Sequence, residues 1–200
     1  VLLTLDAAKA YIGNVQATDD DLIQSLIAAA QAFIEGPQGA QRLYEAAADT
    51  TRRFDAECDV DGRLLYLDAD LCAITSVTNG DGSVIAAGQY VCETSGGARN
   101  QTPWRRLRLR STATVGWVAS STTGPENAIS IVGRWAYSIT PPVRIVQLTR
   151  EIVAYLYRRR SASGDADRPL LTGDGVMILP SALPKGIMAQ LYAERTETTL

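Results

Sequence analysis

The chain has 200 residues, 46% hydrophobic and 20% charged, with 19 Lys+Arg against 22 Asp+Glu for a net charge of −3. That is enough apolar chain to build a core in one medium domain, or in a domain with a sizeable insertion. The acidic balance excludes a molecule that attracts phosphate backbones by its overall charge, and the lack of histidine removes the commonest general base and the usual triads. Cys58, Cys72 and Cys92 match neither a disulfide framework nor a zinc pattern, so they read as buried or idle thiols in a reducing cytosol. No apolar run approaches the roughly 18 residues of a membrane span, and the first residues lack the charged and apolar regions of an export signal. The expectation is a soluble protein.

In chain order, "LTLDAAKAYIG" offers Thr4 as a cap, Asp6 in a first turn and Gly13 as a stop, which predicts a short helix. "TDDDLIQSLIAAAQAFIEG" repeats that grammar: Thr18 caps, three aspartates face the positive end of the dipole, and Gly36 with Pro37 ends the helix. Leu22, Ile23, Leu26, Ile27, Ala30, Phe33 and Ile34 recur at helical spacing as one buried stripe. From about residue 50 to 139 the period changes to two and turn pairs multiply, among them Asp61-Gly62, Asn79-Gly80 and Asp81-Gly82. Strands are predicted at 63–67, 73–79, 89–94, 104–110 and 128–138, forming a small antiparallel sheet or barrel. Helical grammar returns in "TPPVRIVQLTREIVAYLYRRR", with Thr140 as cap, Pro141 at the first helical position, and Val143, Val146, Ile152, Val153, Leu156 and Tyr157 as the apolar face. Arg158, Arg159 and Arg160 fall in its last turn, where cations suit the dipole. Residues 161–169 read as a mobile polar loop, and 183–195 as a final short helix before a polar tail. The fold class is α+β: a small helical bundle of two N-terminal and two C-terminal helices, residues 1–49 and 140–200, with an inserted antiparallel β domain at 50–139.

The chemistry-bearing motifs are few. No phosphate-cradling glycine loop occurs, and nothing in the sequence points to catalysis or to a cofactor. "ECDVDGRLLYLD" places Glu57, Asp59, Asp61, Gly62 and Asp68 at the spacing of a calcium loop. Its flanks read as strands rather than helices, and Asp61-Gly62 is also a common hairpin turn, so the turn reading is preferred and no metal is expected. In "WRRLRLR", period two puts Arg106, Arg108 and Arg110 on one face and Leu107 and Leu109 on the other. That pattern fits a half-buried strand with a solvated arginine face. It also fits arginines paired with carboxylates across a subunit interface, and it fits DNA reading least, because no recognition helix accompanies it.

Three segments taken together, "LTLDAAKAYIGNVQATDDDLIQSLIAAAQAFIE", "RLLYLDADLCAITSVTNGDGSVI" and "ISIVGRWAYSITPPVRIVQLTREIVAYLYRRR", resemble the head-tail connector or adaptor proteins of tailed bacteriophages. The telling pieces are the N-terminal helix pair and the strand Val132, Gly133, Trp135, Tyr137 running into a proline-started helix that ends in "LYRRR". The resemblance spans nearly the whole chain. It implies a non-enzymatic virion protein of the phage neck, assembled in the host cytoplasm into a homo-oligomeric ring, usually twelve-fold. Such a ring docks below the portal protein, hands the channel on to a stopper or tail-completion protein, and lets double-stranded DNA pass without sequence-specific contact. It also implies a portal contact in the C-terminal segment, here Pro184, Lys185, Tyr192, Arg195 and Leu200. Two other roles stand beside it: a stopper or tail-completion protein on the tail side of the neck, and a histidine-free enzyme or cation-binding module using Glu57, Asp59 and Asp61. In a ring whose channel must let a polyanion slide, Arg106, Arg108 and Arg110 are expected to face a neighbouring subunit or the outside rather than the lumen.

Overall fold

A computed structural model describes residues 1–13, 15–99, 101–159, 170–171, 177–178 and 183–195, with backbone only at 170–171 and 177–178. Its class is α+β, with helices at both ends of the chain and antiparallel sheets between them. The chain divides into two compact units, Val1–Tyr44 with Pro141–Leu200, and Glu45–Thr140.

In the helical unit, α1 (Leu5–Ile12) begins where the Thr4 hydroxyl accepts the Ala7 N–H at 3.4 Å. It ends at Gly13, whose N–H makes the last helical bond, to the Lys9 carbonyl at 2.9 Å, and whose φ of 76° then turns the chain out of the helix. Helix α2 (Asp20–Glu35) buries Ile23, Leu26, Ile27, Ala30 and Ile34 along one stripe, with Leu22 and Phe33 half-buried beside it. Thr18 does not cap it: residues 17–19 form a 3-10 turn, and Asp19 precedes the helix with its carboxylate taken by the Tyr157 hydroxyl at 2.6 Å. Helix α3 (Val143–Arg159) packs on both α1 and α2 through Ile145, Leu148, Ile152, Val153 and Leu156. Its start lies two residues later than predicted. Pro142 forces Pro141 toward an extended backbone, so the first helical bonds run from the Ile145 and Val146 N–H groups to the Pro142 carbonyl. Val143 is consequently 84% exposed, outside the apolar face. Helix α4 (Lys185–Ala193) rests on α3 through buried Ile187 and Leu191, and Glu194 just beyond it meets Arg144. Two short strands, β8 (Leu170–Leu171) and β9 (Met177–Ile178), pair antiparallel between α3 and α4 in the sequence. The predicted loop 161–169, Arg160 and the tail from residue 196 lie outside the described residues.

In the sheet unit the strands are β1 (Thr50–Phe54), β2 (Val60–Asp61), β3 (Leu64–Leu71), β4 (Ala73–Thr78), β5 (Tyr90–Glu93), β6 (Trp104–Leu109) and β7 (Ile129–Arg134). They form a three-stranded sheet, β1-β7-β4, and a four-stranded one, β2-β3-β6-β5. One apolar core lies between them, drawn from Phe54, Leu65, Leu67, Leu71, Val77, Tyr90, Leu107, Leu109, Ile129, Ile131 and Trp135. Each such large side chain contributes roughly 1.5–3 kcal/mol of burial. The chain crosses from one sheet to the other at Cys72, whose N–H donates to the Arg134 carbonyl at 2.9 Å. Strand β7 stops at Arg134, short of the predicted 138, and past it Trp135 and Ala136 are both buried, so the two-residue alternation ends there as well. The Trp135 indole N–H donates to the Thr50 carbonyl at 3.0 Å, fixing that departure. Gly133 is required sterically: a Cβ there would sit 2.2 Å from the Ala73 carbonyl oxygen.

Candidate functional site

The charge-rich feature of the molecule is the outer face of the four-stranded sheet. Alternation along β6 buries Leu107 and Leu109 and leaves Arg106 and Arg108 on the opposite face. Register then decides what they meet: Arg106 lies opposite Tyr66 on β3 and Glu93 on β5, and Arg108 lies opposite Leu64 and Val91. The Arg108 guanidinium grips the Glu93 carboxylate with two bonds, Nε to Oε1 at 2.9 Å and a terminal nitrogen to Oε2 at 3.2 Å. Arg99 adds a third bond to the same carboxylate at 3.3 Å. Arg106 donates to the Ser95 carbonyl and stacks over the Tyr66 ring with its guanidinium 5.6 Å from the centroid. Trp104, at the start of β6 beyond a shift in the β3 register, is half-buried and packs against the core.

Glu93 is only 2% exposed, so its charge is held by these arginines rather than by water. The hydrogen bonds from Arg108 hold its carboxyl below the usual range against the opposing effect of burial, and Glu93 in turn raises the Arg108 guanidinium. A second pair joins Arg105 on β6 to buried Asp70 on β3 at 2.6 Å, and a third joins Arg52 on β1 to Asp68 at 2.6 Å, with Arg52 stacked 5.0 Å over the Trp135 ring. The arginines of this strand are therefore engaged inside their own chain. Arg110 differs: it is exposed, its carbonyl accepts from Arg63 at 2.9 Å, and its guanidinium has no partner among the described residues.

The segment with calcium-loop spacing folds differently from an ion-binding loop. Asp61-Gly62 is the turn between β2 and β3, with Gly62 at φ 56°, and Asp68 is drawn to Arg52. One Asp59 carboxylate oxygen accepts the Asp55 N–H at 2.7 Å, and one Asp55 oxygen accepts the Asn127 N–H at 2.6 Å. Among the described residues no group of three or more His, Cys, Asp or Glu side chains is placed to hold a metal ion. All three cysteines are free thiols. Cys58 is exposed, burial raises the Cys72 thiol, and burial pushes the Cys92 thiol up to about 11.

Of the C-terminal residues singled out in the sequence, Pro184 just before α4, Lys185 and Tyr192 on it and Arg195 just beyond it are exposed, and Leu200 lies outside the described residues. Arg195 has a structural task. Its guanidinium donates to the carbonyls of Gly39 at 2.9 Å, Gln38 at 3.1 Å and Pro37 at 3.3 Å, and stacks 4.6 Å from the Tyr192 ring centroid. It thereby ties the end of α4 to the turn that follows α2. Among the described residues no helix is long and apolar enough to cross a membrane.

Sequence reasoning missed Glu93, Asp70 and Asn79. Asn79 is 4% exposed and fastens residues 116–118 to the end of β4: its amide donates to the Gly116 carbonyl at 2.7 Å, and its oxygen accepts the Gly80 and Val118 N–H groups, each at 3.1 Å. Asn79-Gly80 was legible as a turn, but the reach to residue 118 was not. A carboxylate inside a predicted strand, as in "QYVCET", was the available signal for Glu93.

No protein-family model matches this chain, and no curated protein does. Among solved structures it is similar to a chain of the "Virion of native gene transfer agent (GTA) particle". That likeness has 18% identity and a TM-score of 0.56, and it covers 100% of this chain and 92% of that one. It shows a shared fold.

Proposed function

We propose that this chain is a non-enzymatic structural protein of a phage-type virion, and that within the virion it forms the adaptor ring of the neck. In that role it docks below the portal, joins the filled head to the tail, and surrounds the channel through which DNA passes. The observation that carries the reading is the fold likeness to a chain of a gene transfer agent virion over 100% of the present chain. The order of segments seen in the sequence, a helix pair, a β insertion and a proline-started helix, agrees with the same role. The absence of histidine and the intramolecular engagement of the β6 arginines support a structural part over an enzyme or a DNA reader.

The ring, its number of subunits and its portal contact belong to this proposal, with the exposed Pro184, Lys185, Tyr192 and Arg195 as candidates on α4 and at its two ends. Mixing the purified chain with portal rings of its own virion and imaging the product by electron microscopy tests it. A second ring of density coaxial with the portal is expected. Binding to tail tubes with none to portal would instead favour a stopper or tail-completion role. Binding to neither would overturn a place in the neck.

A further inference from the structure

The two outer edges of the four-stranded sheet carry opposite charge. At the β5 edge the chain doubles back through residues 94–99, and Arg99 bridges to Glu93 on the side away from β6, which makes Arg99 the outermost residue there. Arg99 and Arg108 share one carboxylate, and Arg106 is spent on a neutral carbonyl, so this edge keeps a surplus of two positive charges. The Arg99 side chain is 62% exposed and free to turn outward. At the opposite edge, β2 closes the segment 55–61, where Asp55, Glu57, Asp59 and Asp61 stand with no basic residue between them. Their described partners are backbone N–H groups, and among the described residues no arginine or lysine pairs with these four carboxylates. Three strand spacings, roughly 14 Å, separate the two edges.

We propose that copies of this chain associate head to tail through the sheet unit, the arginine edge of one (Arg99, Arg106, Arg108) seated against the acidic loop 55–61 of the next. The inference rests on the homo-oligomer reading above and names the contact that reading lacks. A two-fold contact through either edge would set like charges together, whereas a head-to-tail contact pairs opposite ones and, when the rotation closes, makes a ring. Arg110 is not part of this contact. The register Leu64 to Arg108 and the bond from Arg63 to the Arg110 carbonyl put Arg110 and Arg63, both exposed, beside the β2–β3 turn, so the four carboxylates and these two guanidiniums leave this edge a surplus of two negative charges.

Native Cys58 lies inside the acidic loop and is exposed, while Ala98 is exposed beside Arg99. The test uses the full chain carrying Ala98→Cys, mixed as equal parts of normal and 15N-labelled protein and treated with a short bismaleimide. The expected product is a peptide joining Cys58 of one chain to the introduced thiol of another. A second arm, free of the added thiol, reads assembly by native mass spectrometry: Arg99→Glu and Glu57→Arg each lower self-association about tenfold, and mixing the two variants restores it. If native spectra show oligomers while only 58–58 or 98–98 links form, or no link forms and the charge swap fails, this contact is wrong and the homo-oligomer stands. A chain that stays monomeric at every concentration, with portal and without it, overturns both.

Discussion

Glu93 gives the sharpest test of how the sheet face is held together. Replacing it with glutamine keeps the shape and removes the charge that three guanidinium bonds, at 2.9, 3.2 and 3.3 Å, converge on. A hydrogen bond to a charged group is worth roughly 1.5–3 kcal/mol when buried. The Arg108 and Arg99 side chains are 39% and 62% exposed, so both can turn to water and recover much of that. The amide also keeps one acceptor, which leaves an expected loss of about 2 kcal/mol, or a urea midpoint lower by about 1 M. Trp104, Trp117 and Trp135, the three tryptophans of the chain, all lie in the sheet unit, so their fluorescence reports this unit alone. The pH dependence carries the second half of the argument. Because the fold holds the Glu93 carboxyl below its ordinary value of 4.5, its stabilisation is whole above that value and is lost as pH falls through the lower folded value. The gap between the native chain and Glu93→Gln should therefore close in acid. Equal midpoints at neutral pH, or a gap that persists unchanged in acid, would refute the reasoning.

Gly133→Ala sets a Cβ 2.2 Å from the Ala73 carbonyl oxygen on the neighbouring strand, and backbone cannot swing aside as a side chain does. Its tryptophan-monitored midpoint should fall by the equivalent of about 3 kcal/mol or more, while Gly88→Ala, with no atom within 4 Å of the new methyl, should stay within about 0.5 kcal/mol. Arg195→Ala removes three bonds to the carbonyls of residues 37, 38 and 39, so amide exchange in α4 and after α2 should quicken by about tenfold with the tryptophan melt unmoved.

The two units differ in how far their sequence discloses them. Helices α1 and α2 were legible because their information is local: Thr4, Gly13, Gly36 and a stripe at helical spacing all lie within a few residues of what they control. The misplaced start of α3 was local too, since the second of two prolines decides where helical bonds can begin. Strand β1, "TTRRF", escaped notice because only Phe54 of its five residues is buried. The arginine strand shows where local reading ends. Alternation told Arg106 and Arg108 from Leu107 and Leu109, but not that Glu93 would be the carboxylate beneath them.

By itself, then, the sequence determined the α+β class, the order of helices and sheets, and the two faces of β6, because these follow from periodicity and end signals a few residues apart. Only the tertiary structure decided the register that sets Arg106 opposite Glu93, the reach of Asn79 to residue 118, and the opposite charge of the two sheet edges. Each of these depends on pairing segments distant in the chain. A one-residue slip in that pairing would turn the same side chains to the other face, and no local period records which pairing wins.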